Sequence, residues 1–158
     1  MNVPVEVRME LAMVTILVVD ADENARRLYG RLFGREGFRV LVAGTKEEVA
    51  EMAADSRIDL AVLDFNVPGL RLMDHVPLFW NRDIPVIVHT GDDDPQEDIP
   101  SWLPEAWLTK TGDMSHLRRA VVEALEKKVE REIASFRKEV PALLPELGML
   151  MFDDMMLF

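Results

Sequence analysis

The most informative stretch of this sequence is DLAVLDFNVPG, residues 59–69. Its aliphatic run LAVL lacks the polar and apolar alternation of a half-exposed strand, which is typical of a strand covered by helices on both faces. Asp64 follows the run directly, and Pro68 and Gly69 favour a turn shortly afterwards. The stretch therefore predicts a buried strand of a parallel sheet that ends in a carboxylate.

Similar aliphatic runs lie on either side of this stretch, and each is followed by a longer and more polar segment. Such an alternation of strands and helices predicts a doubly wound α/β domain with a parallel sheet. The predicted strands are residues 15–19, 38–42, 59–63, 85–89 and 106–109.

The polar segments predict five helices, some with clear start signals and others interrupted by proline. Thr45 and Glu48 have the spacing of a capping box. The first helix is expected to carry Ala25, Leu28, Leu32 and Phe33 on one apolar face. Pro141 and Pro145 are expected to end the last helix. The predicted helices are residues 23–36, a segment starting at 45, residues 70–80 interrupted by Pro77, a short segment between 95 and 104, and residues 115–139.

The composition narrows the class of protein. The 158 residues fit one domain with a sizeable core. The absence of cysteine excludes disulfides and thiolate metal sites and agrees with a cytoplasmic location. Residues 1–13 carry Glu6, Arg8 and Glu10, so they predict neither a secretory signal nor a membrane span. The net charge of −11 argues against direct nucleic-acid binding, because an acidic surface repels phosphate backbones.

Four polar residues end four of the predicted strands: Asp20, Asp64, Thr90 and Lys110. Ligands of open parallel sheets bind outside the carboxyl ends of the strands, so these side chains are expected to converge. Their residue types suit phosphoryl transfer, with Asp64 as nucleophile and Asp20 as a ligand of Mg²⁺. Thr90 could donate a hydrogen bond to a phosphoryl oxygen, and Lys110 could place a positive charge beside another.

The segments ILVVDADEN, DLAVLDFNVPG, PVIVHTG and AWLTK resemble successive signatures of response-regulator receiver domains over roughly residues 14–125. The resemblance implies a flavodoxin-like sheet of order 2-1-3-4-5 and phosphorylation by a histidine kinase or a phosphotransfer protein. The residue roles that it implies are Asp64 as phosphoacceptor, Asn66 as a metal ligand through its backbone carbonyl, Thr90 as switch hydroxyl, Trp107 as the aromatic residue that moves with it, and Lys110 as the phosphate-sensing lysine.

The chain departs from the family pattern at several positions. Ala21 stands where the family has a second acid, so weak Mg²⁺ binding is expected unless Asp22 or Glu23 compensates. Thr111 replaces a proline whose preceding bond is commonly cis. A trans bond with a displaced Lys110 is therefore expected, the alternative being a strained cis bond. His89 stands where the family has an aliphatic residue.

The predicted domain organisation is an N-terminal tail at 1–13, a receiver domain at 14–126, and a helix extension with an apolar, methionine-rich tail at 127–158. An apolar stripe continues along the extension through Val129, Ile133, Phe136 and Val140. We expect it to pack against a second copy of the chain or against the tail, and the tail could instead dock a partner. No output domain is expected after residue 126, so the output would be the binding of a downstream protein.

Three functions follow as hypotheses. The leading one is a receiver phosphorylated on Asp64, which is not an enzyme beyond metal-assisted self-phosphorylation and autodephosphorylation. The alternative is a pseudo-receiver, an interaction module that works without phosphorylation, as Ala21 and Thr111 suggest. An aspartate-nucleophile phosphatase is disfavoured, because Asn66 stands where that chemistry generally needs a second acid.

Overall fold

A computed structural model of the chain describes residues 13–55, 57–64, 66–91, 100 and 104–155. Side chains are described for the same residues except 55, 72 and 142–155.

Within the described residues, five strands form one sheet of order β2-β1-β3-β4-β5, and every pairing is parallel. The predicted order and fold class are therefore confirmed. The predicted strands agree with the observed ones to within one residue at each end. The strands are β1 (Thr15–Val19), β2 (Arg39–Ala43), β3 (Leu60–Leu63), β4 (Val86–Thr90) and β5 (Ala106–Thr109).

The described helices are α1 (Glu23–Arg35), α2 (Lys46–Asp55), α3 (Leu72–Trp80) and α4 (Ser115–Met155). Asp22 caps α1 by accepting a hydrogen bond from the Asn24 amide at 2.9 Å. Thr45 accepts one from the Glu48 amide at 3.2 Å at the start of α2, as the capping-box spacing predicts. Apart from residues 100 and 104, the helix predicted between 95 and 104 lies outside the described residues.

Helices cover both faces of the sheet. On one face Leu63 of β3 packs with residues of α2 and α3, including Val49 and Phe79. On the other face Ile16 of β1 belongs to a cluster with Phe33 of α1. Leu117 and Val121 from the first turns of α4 complete that second cluster. β1 and β3 therefore bury both of their surfaces, which explains why ILVV and LAVL are continuously apolar.

The prediction that Leu28 lies on the buried face of α1 is wrong. Leu28 is 51% exposed, whereas its neighbour Tyr29 is buried at 3%. Successive side chains of a helix are about 100° apart, so turning Tyr29 inwards carries Leu28 to the edge of the buried face. Phe33 lies four residues beyond Tyr29 and is buried with it, as the helical spacing requires.

The predicted end of the last helix is also wrong, because α4 continues past Pro141 and Pro145 to Met155. A proline removes one backbone donor, at a cost of about 3 kcal/mol, but the residues around this pair include alanine and several leucines that favour helix. The chain divides into two compact units, Met1–Leu125 and Glu126–Phe158. The predicted domain boundaries stay predictions. Within the described part of the chain, no helix combines the length and apolar character that a membrane span requires.

Candidate functional site

Two acids and a lysine lie directly after three strands, at the carboxyl edge of the sheet. The Asp20 amide, just after β1, donates to the Ala43 carbonyl at 3.0 Å, and the Asp64 amide, just after β3, donates to the Val19 carbonyl at 3.0 Å. The Lys110 amide, just after β5, donates to the Thr90 carbonyl at 2.6 Å. These residues thus extend the parallel hydrogen-bond pattern by one step, so their side chains start from the same edge.

The ammonium group of Lys110 joins the two acids. Its Nζ lies 2.5 Å from Oδ2 of Asp20 and 2.6 Å from Oδ2 of Asp64. The two carboxylate side chains are only 3% and 7% exposed, whereas the lysine side chain is 26% exposed. One cation therefore compensates two nearly buried carboxylates, and the cluster keeps a net negative charge that a second cation could offset.

The electrostatics of Lys110 follow from this contact. Burial alone would lower the pKa of Lys110, but its hydrogen bonds to Asp20 and then Asp64 outweigh burial. The net result is a pKa raised above the usual value of lysine, so the group stays protonated at physiological pH.

Of the other predicted site residues, Asn66 and Thr90 lie at the same edge. Trp107 instead lies inside the sheet, three residues before Lys110. The Asn66 amide donates to Oδ1 of Asp64 at 3.2 Å, which fixes the second oxygen of that carboxylate. Thr90 ends β4 and is completely buried. Trp107 on β5 is paired in register with Val88 and packs, half-buried, on the sheet face that α2 and α3 cover.

The peptide bond before Thr111 is trans, since no cis bond occurs within the described residues. The expected displacement of Lys110 does not accompany it. The lysine reaches both acids from a trans loop, whose Thr111 hydroxyl donates to the Asp113 carbonyl at 3.1 Å.

The two acids that could have replaced the missing acid at Ala21 have other partners. Oδ1 of Asp22 accepts from the Asn24 amide as the cap of α1. Glu23 is exposed and forms an ion pair with Arg27 at 2.8 Å, one helical turn later. Ala21 itself is exposed. Neither acid could therefore replace the missing ligand without giving up its present partner.

Sequence reasoning missed Arg26, which holds the loop after β1. Its Nη1 donates to the backbone carbonyls of Asp20 at 2.7 Å and Ala21 at 3.0 Å. Gly44 leaves room for this guanidinium, because a Cβ there would lie 2.3 Å from Nη1. The glycine directly after β2 was the available signal, since glycine often marks a close approach of another group to the backbone.

A buried polar pair lies beneath the site. The Tyr29 hydroxyl is 2.8 Å from Nδ1 of His89, and the rings meet edge to face with centroids 5.6 Å apart. Burial, followed by the positive charge of Lys110, lowers the pKa of His89. Burial raises the pKa of Tyr29 to about 12. Both groups are therefore neutral near pH 7, which suits an uncharged hydrogen bond between α1 and β4.

The donor set at the edge fits a hydrated magnesium ion. Mg²⁺ is commonly held by one or two carboxylates and keeps several waters, and Asp20 with Asp64 supplies two carboxylates. Within the described part of the chain, no group of three or more histidines, cysteines and acids could hold a metal ion. The ammonium of Lys110 already contacts one oxygen of each acid, so a metal ion would share these ligands with it.

Comparison with known proteins identifies the family. The family model of the response regulator receiver domain matches residues 16–122. The chain is also 30% identical over 86 residues to the CAI-1 autoinducer sensor kinase/phosphatase CqsS of Vibrio cholerae. That match covers 51% of this chain and 12% of CqsS, so the chain corresponds to a small part of that relative.

Solved structures agree with this result. The response regulator TrrA of Thermotoga maritima, solved in complex with Mg²⁺-BeF, is 25% identical with a TM-score of 0.64, over 71% of this chain and 99% of TrrA. A complex of TrrA with the histidine kinase ThkA gives 25% identity and a TM-score of 0.60, over 72% of this chain and 99% of the matched chain. Because the family model spans more than half of the 158 residues, the chain belongs to the response regulator receiver domains of two-component systems.

Proposed function

We propose that this receiver accepts a phosphoryl group on Asp64 from a histidine kinase or a phosphotransfer protein and signals by binding a downstream protein. The observation that carries the proposal is the contact of the Lys110 ammonium with both Asp20 and Asp64. A strand-end carboxylate, a second acid and a fixed cation are the groups that formation of an aspartyl phosphate needs.

The transfer step is a displacement at phosphorus. A carboxylate oxygen of Asp64 forms the new P–O bond while the P–N bond of the phosphohistidine donor breaks, and the imidazole of the donor leaves with the electron pair. Lys110 is placed to neutralise charge on the phosphoryl oxygens, and we assign Thr90 the hydrogen bond to another of them. Trp107 is proposed as the aromatic side chain that responds to this contact.

Magnesium would be held by Asp20, Asp64 and the backbone carbonyl of Asn66. When bound, it would offset the negative charge of the phosphoryl group. We propose that it binds weakly, because Ala21 supplies no ligand while Asp22 and Glu23 have other partners. Receiver domains generally are not enzymes, and we propose no activity here beyond metal-assisted self-phosphorylation and autodephosphorylation.

The partners follow from the comparisons and the charge. TrrA was solved in complex with the histidine kinase ThkA, which supports a kinase as the phosphoryl donor here. The net charge of −11 disfavours direct nucleic-acid binding, so the downstream partner is proposed to be a protein. The lack of cysteine agrees with action in the reducing cytoplasm, where we place the protein.

Intact-mass measurement of the full chain after incubation with acetyl phosphate and Mg²⁺ tests the proposal. One added phosphoryl group is expected, lost on mild base treatment and absent from Asp64→Asn. Phosphorylation that persists in Asp64→Asn would show that another residue is the acceptor. Asp74→Asn, at an exposed acid on α3, is the matched control and should be phosphorylated like the unmodified chain.

A pseudo-receiver that works without phosphorylation is the second candidate. The observation that favours it is the combination of Ala21 with an Asp22 side chain committed to capping α1. In that case the mass would not change with acetyl phosphate or with a panel of phosphorylated histidine kinases. Binding of the downstream partner would then be equal for the unmodified chain and Asp64→Asn.

A further inference from the structure

Helix α4 continues to Met155, well beyond the end that the sequence predicts. In the unit Glu126–Phe158, the side chains of Val129, Ile133 and Phe136 are 52%, 46% and 64% exposed. Three large apolar side chains exposed along one helix stripe form the kind of patch that usually marks an interaction surface.

The spacing of this stripe is that of a coiled coil. Val129, Ile133, Phe136 and Val140 are separated by four, three and four residues. With the helix intact beyond Pro141, the same spacing continues in the sequence at Leu143, Leu147 and Leu150. The alternation of three and four thus runs through three heptads, in which Ile133 and Val140 take position a and Val129 and Phe136 take position d.

The described part of the methionine-rich tail, up to Met155, cannot cover this stripe. Met149, Met151 and Met155 are part of α4 itself, and a continuous helix does not fold back on its own earlier turns. Of the two occupants that the sequence predicts, a second copy of the chain is therefore the one that the structure favours.

The flanking charges specify the direction of pairing. Positions g of the three heptads are all glutamates, Glu132, Glu139 and Glu146. An antiparallel pair would place these acids opposite one another, whereas a parallel pair places position g opposite position e of the next heptad in the partner. Glu132 would then face Arg137, an opposite charge, and both residues are exposed.

The prolines are compatible with such a seam. In this heptad frame Pro141 falls at position b and Pro145 at position f, both on the outer side of a coiled coil. β-branched residues at position a, here Ile133 and Val140, favour two strands in parallel coiled coils. We propose that the segment from Val129 to Leu150 forms a parallel, two-stranded coiled coil with a second copy of this chain, with Glu132 of each copy paired to Arg137 of the other.

Sedimentation equilibrium of the full chain tests the dimer. The unmodified protein is expected to dimerise, and Ile133→Asp to weaken the dimer by at least about 30-fold, because it places a charge in the seam. Ala134→Asp adds the same charge at the neighbouring exposed position b and should leave the dimer intact. A monomeric unmodified chain, or equal dimerisation of all three proteins, would overturn the proposal.

Charge exchange tests the pairing. Glu132→Arg alone and Arg137→Glu alone should each weaken the homodimer by roughly 10-fold, since each replaces two attractions by repulsions. An equimolar mixture of the two variants should form heterodimers in preference to either homodimer. A statistical mixture of species would refute the pairing of Glu132 with Arg137.

Disulfide cross-linking tests whether the two helices are parallel. The chain contains no cysteine, so any disulfide must form between introduced thiols. Val129→Cys, near one end of the seam, should give an intermolecular disulfide on mild oxidation, since a parallel pair places the two thiols opposite each other. Arg131→Cys, at the exposed position f on the outer side of the coiled coil, should cross-link less. Absence of the Val129→Cys dimer in a protein that still sediments as a dimer would exclude the parallel arrangement. No residue of the phosphorylation site takes part, so this proposal and the proposed function stand or fall separately.

Discussion

Nζ of Lys110 lies 2.6 Å from Oδ2 of Asp64, so the proposed phosphoacceptor is paired with a cation in the unphosphorylated chain. The same ammonium contacts Asp20 at 2.5 Å. The lysine therefore compensates two nearly buried carboxylates in the fold, and in the proposed phosphorylation it would also contact the phosphoryl oxygens.

The first prediction concerns Lys110→Met. Removing the ammonium leaves Asp20 and Asp64 without their shared cation, and unpairing buried charges typically costs about 3 to 5 kcal/mol. Since the lysine side chain is 26% exposed, a loss of about 2 kcal/mol in the free energy of unfolding is expected, measured by urea denaturation.

The same variant should bind Mg²⁺ more tightly than the unmodified chain, because the ion no longer shares its ligands with an ammonium. Isothermal titration calorimetry at fixed ionic strength measures this Mg²⁺ affinity. Lys127→Met, at an exposed lysine of the C-terminal unit, is the control and should change neither stability nor Mg²⁺ affinity. Equal affinity in Lys110→Met would mean that the ion binds away from the two acids.

The second prediction concerns Ala21→Asp, which restores the acid that the family usually has. Loss of even outer metal-site partners typically costs 10- to 100-fold in affinity, so gaining an acid should tighten Mg²⁺ binding by at least about 10-fold and speed phosphorylation of Asp64. A third carboxylate beside Asp20 and Asp64 adds repulsion in the absence of metal. The metal-free melting temperature should therefore fall.

Ala54→Asp, at an exposed position of α2, adds the same charge away from the site and should leave Mg²⁺ affinity unchanged. Tight Mg²⁺ binding by the unmodified chain would contradict this account, because another group would then have to supply the missing ligand.

The core and the strand order could be predicted because both depend on periodic patterns. The continuous run LAVL required cover on two faces, and Asp64 at its end had to lie at the carboxyl edge. The position of Leu28 was mispredicted because a helical pattern locates the buried face only to within about one residue. The next residue, Tyr29, is the one that is buried. The buried hydrogen-bond partner of Tyr29 is His89, sixty residues later in the sequence. A contact at that distance along the chain cannot be predicted from a local pattern.

The end of α4 was mispredicted because proline was read as a stop signal. Each proline removes one backbone donor, yet α4 continues through Pro141 and Pro145, in a stretch that also holds an alanine and several leucines, residues that favour helix. Arg26 was missed for a different reason. Its two bonds to backbone carbonyls depend on how the loop after β1 folds, which the types of neighbouring residues do not encode.

The third prediction concerns pH. The pKa of His89 is lower in the folded chain than in the unfolded one, so below about pH 6.5 the unfolded chain binds more protons. The contribution of neutral His89 to the free energy of unfolding should therefore be fully present above that pH. It should be lost as the pH falls towards the lowered pKa of His89. Urea denaturation between pH 7 and pH 5 measures the slope.

Replacing both members of the buried pair, in Tyr29→Phe/His89→Leu, should remove this part of the slope without leaving an unpaired polar group. His116→Gln, at an exposed histidine on α4, is the matched control and should keep the slope of the unmodified chain. An unchanged slope in the double variant would assign the pH dependence to the carboxylates instead. Tyr29→Phe alone should cost about 1 to 3 kcal/mol, because it leaves Nδ1 of His89 without its partner.

The last prediction concerns Arg26 and Gly44, which together hold the loop that presents Asp20. A Cβ at Gly44 would lie 2.3 Å from Nη1 of Arg26, so Gly44→Ala must displace the guanidinium, and the flexible side chain can move. The cost is then the loss of the bonds to the carbonyls of Asp20 and Ala21, about 1 to 3 kcal/mol for a charged donor.

A double-mutant cycle separates this effect from a general effect of alanine after β2. Arg26→Ala should cost about as much as Gly44→Ala, and the double variant should cost little more than either, because both changes remove the same two bonds. Additive losses would mean that the glycine serves the backbone and not the arginine. Since the arginine holds the loop that carries Asp20, both single variants should also bind Mg²⁺ more weakly, and equal affinity would show that Asp20 is positioned without it.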